Sequence, residues 1–255
     1  MKIALIQTDL IWENPSENRN NIQQKINSIA ENVDLIVLPE MFTTGFSMHP
    51  QQIAETMDGE TVLWMKAIAQ EKNTALTGSV IISENENFYN RLLFVFPSGE
   101  IKTYDKRHLF SLAGEQKVYE AGSKKLIVDY NGFKICPLIC YDLRFPVFAR
   151  NVEDYDVLIY VANWPTPRIA AWDALLKARS IENMCYTIGV NRIGVDDNQH
   201  EYSGHSQALD FMGNHLIEPQ QQQGTFIVDL NKNTMLEARK KFGFLNDRDD
   251  FELKK

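Results

Sequence analysis

The feature that most constrains the fold of this chain is a series of short runs that are apolar at nearly every position and end abruptly in polar residues. Asp34-Leu35-Ile36-Val37-Leu38-Pro39-Glu40, Phe133–Ile139 and Asp156–Ala162 are the clearest. An amphipathic strand alternates; a run without alternation is a strand buried on both faces. Segments with helical spacing lie between these runs from end to end. That pattern predicts an α/β protein with a mixed sheet or two packed sheets covered by helices, in one domain over 1–255. In such folds ligands gather at the carboxyl ends of strands, so the residue that follows each run matters.

The local signals are specific. Met1-Lys2-Ile3-Ala4-Leu5-Ile6-Gln7-Thr8 reads as a first strand, too short and too soon polar for a signal peptide. Asn14-Pro15-Ser16-Glu17 supplies an N-cap, a proline for the first turn and an acid at N3, with Ile22, Ile26 and Ile29 following at helical spacing. A second helix is expected over Glu60–Lys72, burying Trp64, Ala67 and Ile68, and a third over Ala170–Met184. Strands are expected at Leu35–Leu38, Ala75–Ile82, Asn90–Phe96, Ile101–Tyr104, Leu126–Asp129, Cys185–Val190, Ser206–Phe211 and Thr225–Leu230. Asn131-Gly132 marks a tight hairpin turn.

Composition excludes some classes. Among 255 residues the net charge is −8, against the basic surface that nucleic-acid binding requires. No apolar run is long enough to span a bilayer, and a cytoplasmic protein is expected. Three cysteines do not make a disulfide framework. Cys136 and Cys185 lie inside apolar runs and read as core residues. His49, His108, His200, His205 and His215 show no metal-ligand spacing.

Three strand-end segments carry chemistry. The run Ile135–Ile139 ends in Cys140, the run Leu35–Leu38 leads to Glu40, and Tyr104-Asp105-Lys106-Arg107-His108 offers Lys106. A thiol, a carboxylate and an ammonium would make a nucleophile, a proton carrier and an oxyanion stabiliser. The Tyr141 backbone N–H, beside the thiol, is a second oxyanion donor by position. Each also has an ordinary reading: a core thiol, a loop acid, a solvated lysine. Spacing alone does not bring them together.

At these segments the chain resembles the nitrilase superfamily, the carbon–nitrogen hydrolases. Leu38-Pro39-Glu40-Met41-Phe42 is similar to that family's glutamate motif. Tyr104-Asp105-Lys106-Arg107-His108-Leu109-Phe110 is similar to its lysine motif, and Cys140-Tyr141-Asp142-Leu143-Arg144-Phe145-Pro146 to its cysteine motif. Ala178-Arg179-Ser180-Ile181-Glu182-Asn183 resembles the helix that follows. The resemblance implies an α-β-β-α sandwich and a Glu40, Lys106, Cys140 triad acting through a thioester, with no metal or organic cofactor. It also implies a second glutamate near the lysine, Glu115 by preference and Glu120 otherwise, and a homodimer.

Within the family the likeness is to amidases of the omega-amidase kind, through Asn163-Trp164-Pro165-Thr166-Pro167-Arg168 and Gly114-Glu115. Val147 departs from the glutamate common at that place. The implied substrates are the terminal amides of 2-oxoglutaramate and 2-oxosuccinamate. Another carbon–nitrogen hydrolase, acting on an N-carbamoyl amino acid, a nitrile or an aliphatic amide, is the nearest rival; a non-catalytic binding protein of the same fold is another. An oxo-acid amide presents a carboxylate, which needs a cation. Arg144 and Arg168 are the candidates by position, although Arg144 reads equally as an ion-pair partner of Asp142. Phe42, Phe46 and Trp164 are candidate apolar walls, and each reads equally as core packing. The aromatics of Phe242–Phe251 are suited either to a partner subunit or to the chain's own core.

Overall fold

The computed structural model describes residues 1–253; the last two residues of the expected 1–255 domain lie outside the described residues. Among the described residues, fourteen strands and six α-helices follow in chain order. They are β1 (Lys2–Gln7), α1 (Pro15–Asn27), β2 (Leu35–Val37), α2 (Pro50–Ile53), α3 (Glu60–Lys72), β3 (Ala75–Glu84), β4 (Asn87–Val95) and β5 (Ile101–Asp105). Then come β6 (Val128–Tyr130), β7 (Phe133–Ile139), α4 (Pro146–Ala149), β8 (Val157–Ala162), α5 (Ile169–Asn183) and β9 (Tyr186–Asn191). The last are β10 (Ile193–Val195), β11 (Glu201–Ser203), β12 (Ser206–Leu209), β13 (His215–Gln220), β14 (Gly224–Asp229) and α6 (Lys232–Phe242).

The strands form two six-stranded sheets, in the orders β14-β1-β2-β3-β4-β5 and β13-β12-β9-β8-β7-β6, and a small β10-β11 hairpin. Each sheet mixes parallel pairs with antiparallel ones: β1, β2 and β3 run parallel, as do β7, β8 and β9. The unbroken apolar runs are explained by burial on both faces. Along β1, Ile3 and Leu5 enter the core between the sheets, while Ala4 and Ile6 enter the core beneath α1 and α3. Leu35 and Val37 of β2 point one way and Ile36 the other. The architecture is the α-β-β-α sandwich.

Helix α1 begins as its sequence dictates: the Asn14 side chain accepts from the Glu17 N–H, with Pro15 in the first turn. Helix α5 lies against β9, where a side chain at Gly189 would meet Leu176 and Trp172 at 2.5 and 2.6 Å. Asn131 and Gly132 both take positive φ, 46° and 76°, in the β6-β7 hairpin.

Several expectations are corrected. Ala67 is exposed; Val62, Met65, Ile68 and Ala69 form the buried face of α3, with Trp64 half-buried. The β3 and β4 strands run on to a two-residue turn at Asn85 and Glu86, both with positive φ. In the C-terminal stretch Leu245 joins the chain's own core and Arg248 donates to the Asn151 carbonyl at 3.0 Å, while Phe242, Phe244 and Phe251 are exposed.

Candidate active site

Glu40 and Lys106 emerge from the same end of one sheet. β5 is antiparallel to β4, which is antiparallel to β3, so β5 runs with β2 and β3. The Glu40 loop is clamped onto β3: the Met41 N–H donates to Ser79 Oγ at 2.9 Å and the Phe42 N–H to the Ser79 carbonyl at 3.2 Å. Gly78 permits this approach, because a Cβ there would stand 2.8 Å from that of Leu38. Lys106 is held through its backbone, its N–H donating to the Asn90 carbonyl at 3.0 Å.

Cys140 ends β7 on the other sheet and opens a 3-10 turn, Cys140–Arg144. Its φ is +43°, and Met41, beside Glu40, has +42°. Left-handed backbone at a non-glycine residue costs on the order of 1–2 kcal/mol and concentrates at functional sites. Here it turns the thiol out of the strand. The first N–H groups of a helical turn have no partner within it, which leaves the Tyr141 N–H available beside the sulfur.

The charged groups converge. Lys106 Nζ lies 2.9 Å from Glu40 Oε1 and 3.0 and 2.9 Å from the two oxygens of Glu115. Glu40 and Glu115 are 0% exposed and Lys106 is 1% exposed, so screening by water is absent. Asn90 Nδ2 donates to Glu40 Oε1 at 2.8 Å and to Glu115 Oε1 at 3.3 Å. The Asn163 N–H donates to Glu40 Oε2 at 2.9 Å, and its Nδ2 to the Glu40 carbonyl at 2.7 Å. The thiol lies 4.0 Å from the Asn163 carbonyl.

Two carboxylates share one ammonium. Burial pulls the Lys106 pKa down, but Glu115, Glu40 and Cys140 outweigh it and hold the amine charged. Burial raises Glu115, opposed by Lys106 and reinforced by Glu40. Burial pushes the Cys140 thiol well up, the Glu40 charge pushes it further, and Lys106 pulls it back. Cys140 therefore rests as a neutral thiol beside Glu40. Passing the proton to Glu40 creates the thiolate without changing the net charge of the buried cluster.

Lys106, Cys140 and Asn163 line a cavity of about 420 Å³, within the range of small-ligand sites, and Glu40 and Glu115 lie buried behind them. Phe46, Tyr141, Trp164, Arg144 and Arg168 all line it. Phe46 stands with its ring centre 5.1 Å from Lys106 Nζ. Arg144 lies over the Trp164 ring at 5.0 Å and Arg168 over that of Phe110 at 5.2 Å. Neither arginine makes an ion pair among the described residues; Asp142 pairs instead with His108 at 2.8 Å. Glu120 is exposed and away from the lysine. Phe42 is not a wall: it is fully buried in the core beneath α3, its ring 6.0 Å from that of Trp64.

Sequence reasoning did not single out Asn90, which stands at the start of an apolar run and reads there as a strand boundary. It also missed the cavity wall from Trp12, Met48 and the β10-β11 hairpin, which brings Asp196, Asn198, His200 and Tyr202. Each of the five histidines sits beside one carboxylate: Glu13, Asp142, Asp196, Asp173 and Glu218.

Comparison with known proteins gives the family. The carbon-nitrogen hydrolase family matches residues 2–240. The chain is 42% identical over 254 residues to the omega-amidase YafV of Escherichia coli (strain K12), covering 99% of this chain and 98% of that one. It is 32% identical over 250 residues to the 2-oxoglutaramate amidase of Bacillus subtilis (strain 168), covering 96% of each. The crystal structure of XC1258 from Xanthomonas campestris, a CN-hydrolase superfamily protein with an arsenic adduct in its active site, is 41% identical. It superposes with a TM-score of 0.97 over 100% of this chain and 99% of that one. The chain belongs to the carbon-nitrogen hydrolase family.

Proposed function

We propose that this hydrolase cleaves the terminal amide of omega-amido 2-oxo acids, 2-oxoglutaramate and 2-oxosuccinamate, releasing ammonia and the dicarboxylate. The observation that carries the reading is a cavity lined by Lys106, Cys140, Arg144 and Arg168, with Glu40 and Glu115 buried on Lys106 and neither arginine in an ion pair among the described residues. The relatives named omega-amidase and 2-oxoglutaramate amidase support the choice of substrate.

Glu40 takes the thiol proton as Cys140 attacks the amide carbonyl. Charge gathers on the carbonyl oxygen, and Lys106 and the Tyr141 N–H stabilise it; one such donor contributes about 3 kcal/mol. Glu40 returns its proton to the leaving nitrogen, and ammonia departs to leave a thioester. A water that gives its proton to Glu40 then cleaves the thioester and frees the thiol. Glu115 holds Lys106 in place and charged. Asn90 and Asn163 fix the Glu40 carboxylate, leaving it one direction in which to take the proton. The domain spans 1–255 and works as a cytoplasmic homodimer, to which the exposed Val147, Ile181 and Phe244 offer apolar contacts.

In this account Arg144 and Arg168 bind the substrate's far carboxylate across the cavity from the thiol. Replacing either by leucine is expected to raise KM for 2-oxoglutaramate by roughly 10–100-fold, a charge-assisted hydrogen bond being worth about 1.5–3 kcal/mol. KM for an uncharged aliphatic amide should stay nearly unchanged. Steady-state kinetics on both substrates check this, and equal effects on the two would remove the arginines from carboxylate recognition.

A further inference from the structure

Lys106 and Cys140 stand on different sheets, and a carbonyl carbon attacked by one must present its oxygen to the other. One buried carboxylate ties the two segments together. Asp142 is 0% exposed and does not line the cavity. Its Oδ2 accepts the Ile139 N–H at 3.0 Å and the Tyr104 hydroxyl at 2.7 Å. Its Oδ1 accepts the His108 N–H at 3.0 Å and lies 2.8 Å from His108 Nδ1. The Tyr104 hydroxyl in turn accepts the Arg107 N–H at 3.1 Å.

Thus residues 139 and 142 bracket the thiol, and residues 104, 107 and 108 bracket the ammonium. Each carboxylate oxygen faces two donors, which fills its capacity and leaves nothing for substrate. The link is stiffened from outside: the His108 ring stacks on Phe145 of the cysteine turn at 3.7 Å, within 5° of parallel. Asn163 joins the sheets at Glu40, and a side chain two residues from the nucleophile joins the cysteine turn to the lysine segment.

We infer that Asp142 is a positioning residue that sets the gap between the Cys140 thiol and the Lys106 ammonium, acting through Tyr104 and His108. This rests on the roles proposed above for Cys140 and Lys106. Reacting groups must be held to within about half an ångström, so a loosened link costs rate rather than binding.

The test compares amide turnover with alkylation of Cys140 by iodoacetamide. In alkylation the sulfur–carbon bond forms as the carbon–iodine bond breaks, iodide leaves, and the thiol proton passes to Glu40. No carbonyl oxygen gathers charge, so alkylation does not call on Lys106 as an oxyanion donor. Asp142→Asn is expected to lower kcat by about tenfold or more, with KM and the alkylation rate within about threefold of wild type. His108→Asn, whose amide nitrogen can occupy the place of Nδ1, should keep kcat within about threefold, whereas His108→Ala should lose more than that.

Wild-type kcat in Asp142→Asn would overturn the inference. So would an alkylation rate that falls in step with kcat, since the whole site would then have loosened. If Asp142→Asn does not fold, the His108 pair decides: equal kcat in His108→Asn and His108→Ala would overturn the link. Turnover by Cys140→Ala would overturn the underlying mechanism instead.

Discussion

Cys140→Ala is expected to leave no amide hydrolysis above background in a protein that still folds. Every step of the proposed reaction passes through the sulfur: attack, loss of ammonia and hydrolysis of the thioester. Without it, Glu40 would have to activate a water that no group holds against the carbonyl. The loss should be on the order of ten-thousand-fold or more, as when a nucleophile is removed from other covalent catalysts. Cys140→Ser should fail almost as badly, because a hydroxyl yields its proton far less readily than a thiol. The cost to the fold is small. The Cys140 side chain is only partly buried, and alanine removes one atom at a strained backbone position. Ammonia release and a thermal melt on the same preparation check both halves. Substantial turnover by a well-folded Cys140→Ala protein would exclude the thioester route.

Lys106→Met should produce the second large effect, in stability as well as rate. Among the described residues the ammonium is the one cation that Glu40 and Glu115 share. Removing one partner of a buried ion pair costs about 3–5 kcal/mol, because the charge left behind stays desolvated. The loss has a defined pH dependence. Burial already raises Glu115, and Lys106 is what opposes it, so the substitution drives its folded-state pKa further up. A carboxyl whose folded pKa exceeds its unfolded value is best tolerated below the unfolded value, about 4.3, and costs stability as pH rises through the folded one. The gap between mutant and wild type should therefore be smallest near pH 5 and widest near pH 8. Denaturant melts across that range check the sign. Turnover should fall by about 100-fold or more at any pH where the mutant folds, through loss of the oxyanion donor. A deficit that is constant with pH would show that the carboxylates do not depend on Lys106.

How much of this was legible in the sequence varies with how local the signal is. The strand that ends in Cys140 is announced by its own composition, and α1 by its cap and proline. Helix α5 is announced by Trp172, Leu176, Arg179 and Asn183 at helical spacing, and all four are buried. Helix α6 was not seen. Only Met235 is buried in it, so the apolar stripe that marks a helix is nearly absent. Strand β13 is a half-exposed edge strand containing Pro219, which sequence reading rejects. The β10-β11 hairpin has three-residue strands, too short for any period to show, yet it supplies part of the cavity wall.

The site itself divides the same way. Glu40, Lys106 and Cys140 were visible because each closes a strand-like run. Their convergence was not visible, since it depends on two sheets meeting. Of the two readings open for Phe42, the backbone selects the core: the left-handed Met41 reverses the chain and turns Phe42 under the helices. By position Asp142 reads as a partner for Arg144; its partners in the fold, Tyr104 and His108, lie more than thirty residues away. Glu115 and Glu120 could not be separated by spacing, since both follow the lysine in a polar stretch. The fold separates them, one fully buried on Lys106 and the other facing solvent.

The most direct test of the central claim is ammonia release by the purified protein, with Cys140→Ala beside it. The substrates would be 2-oxoglutaramate, 2-oxosuccinamate, glutamine, N-carbamoyl-β-alanine and an aliphatic nitrile. The account predicts release from the two oxo-acid amides, little or none from the others, and none in the mutant. Silence on both oxo-acid amides together with turnover of the carbamoyl compound or the nitrile would contradict the proposed substrate. Release from them by Cys140→Ala would contradict the mechanism.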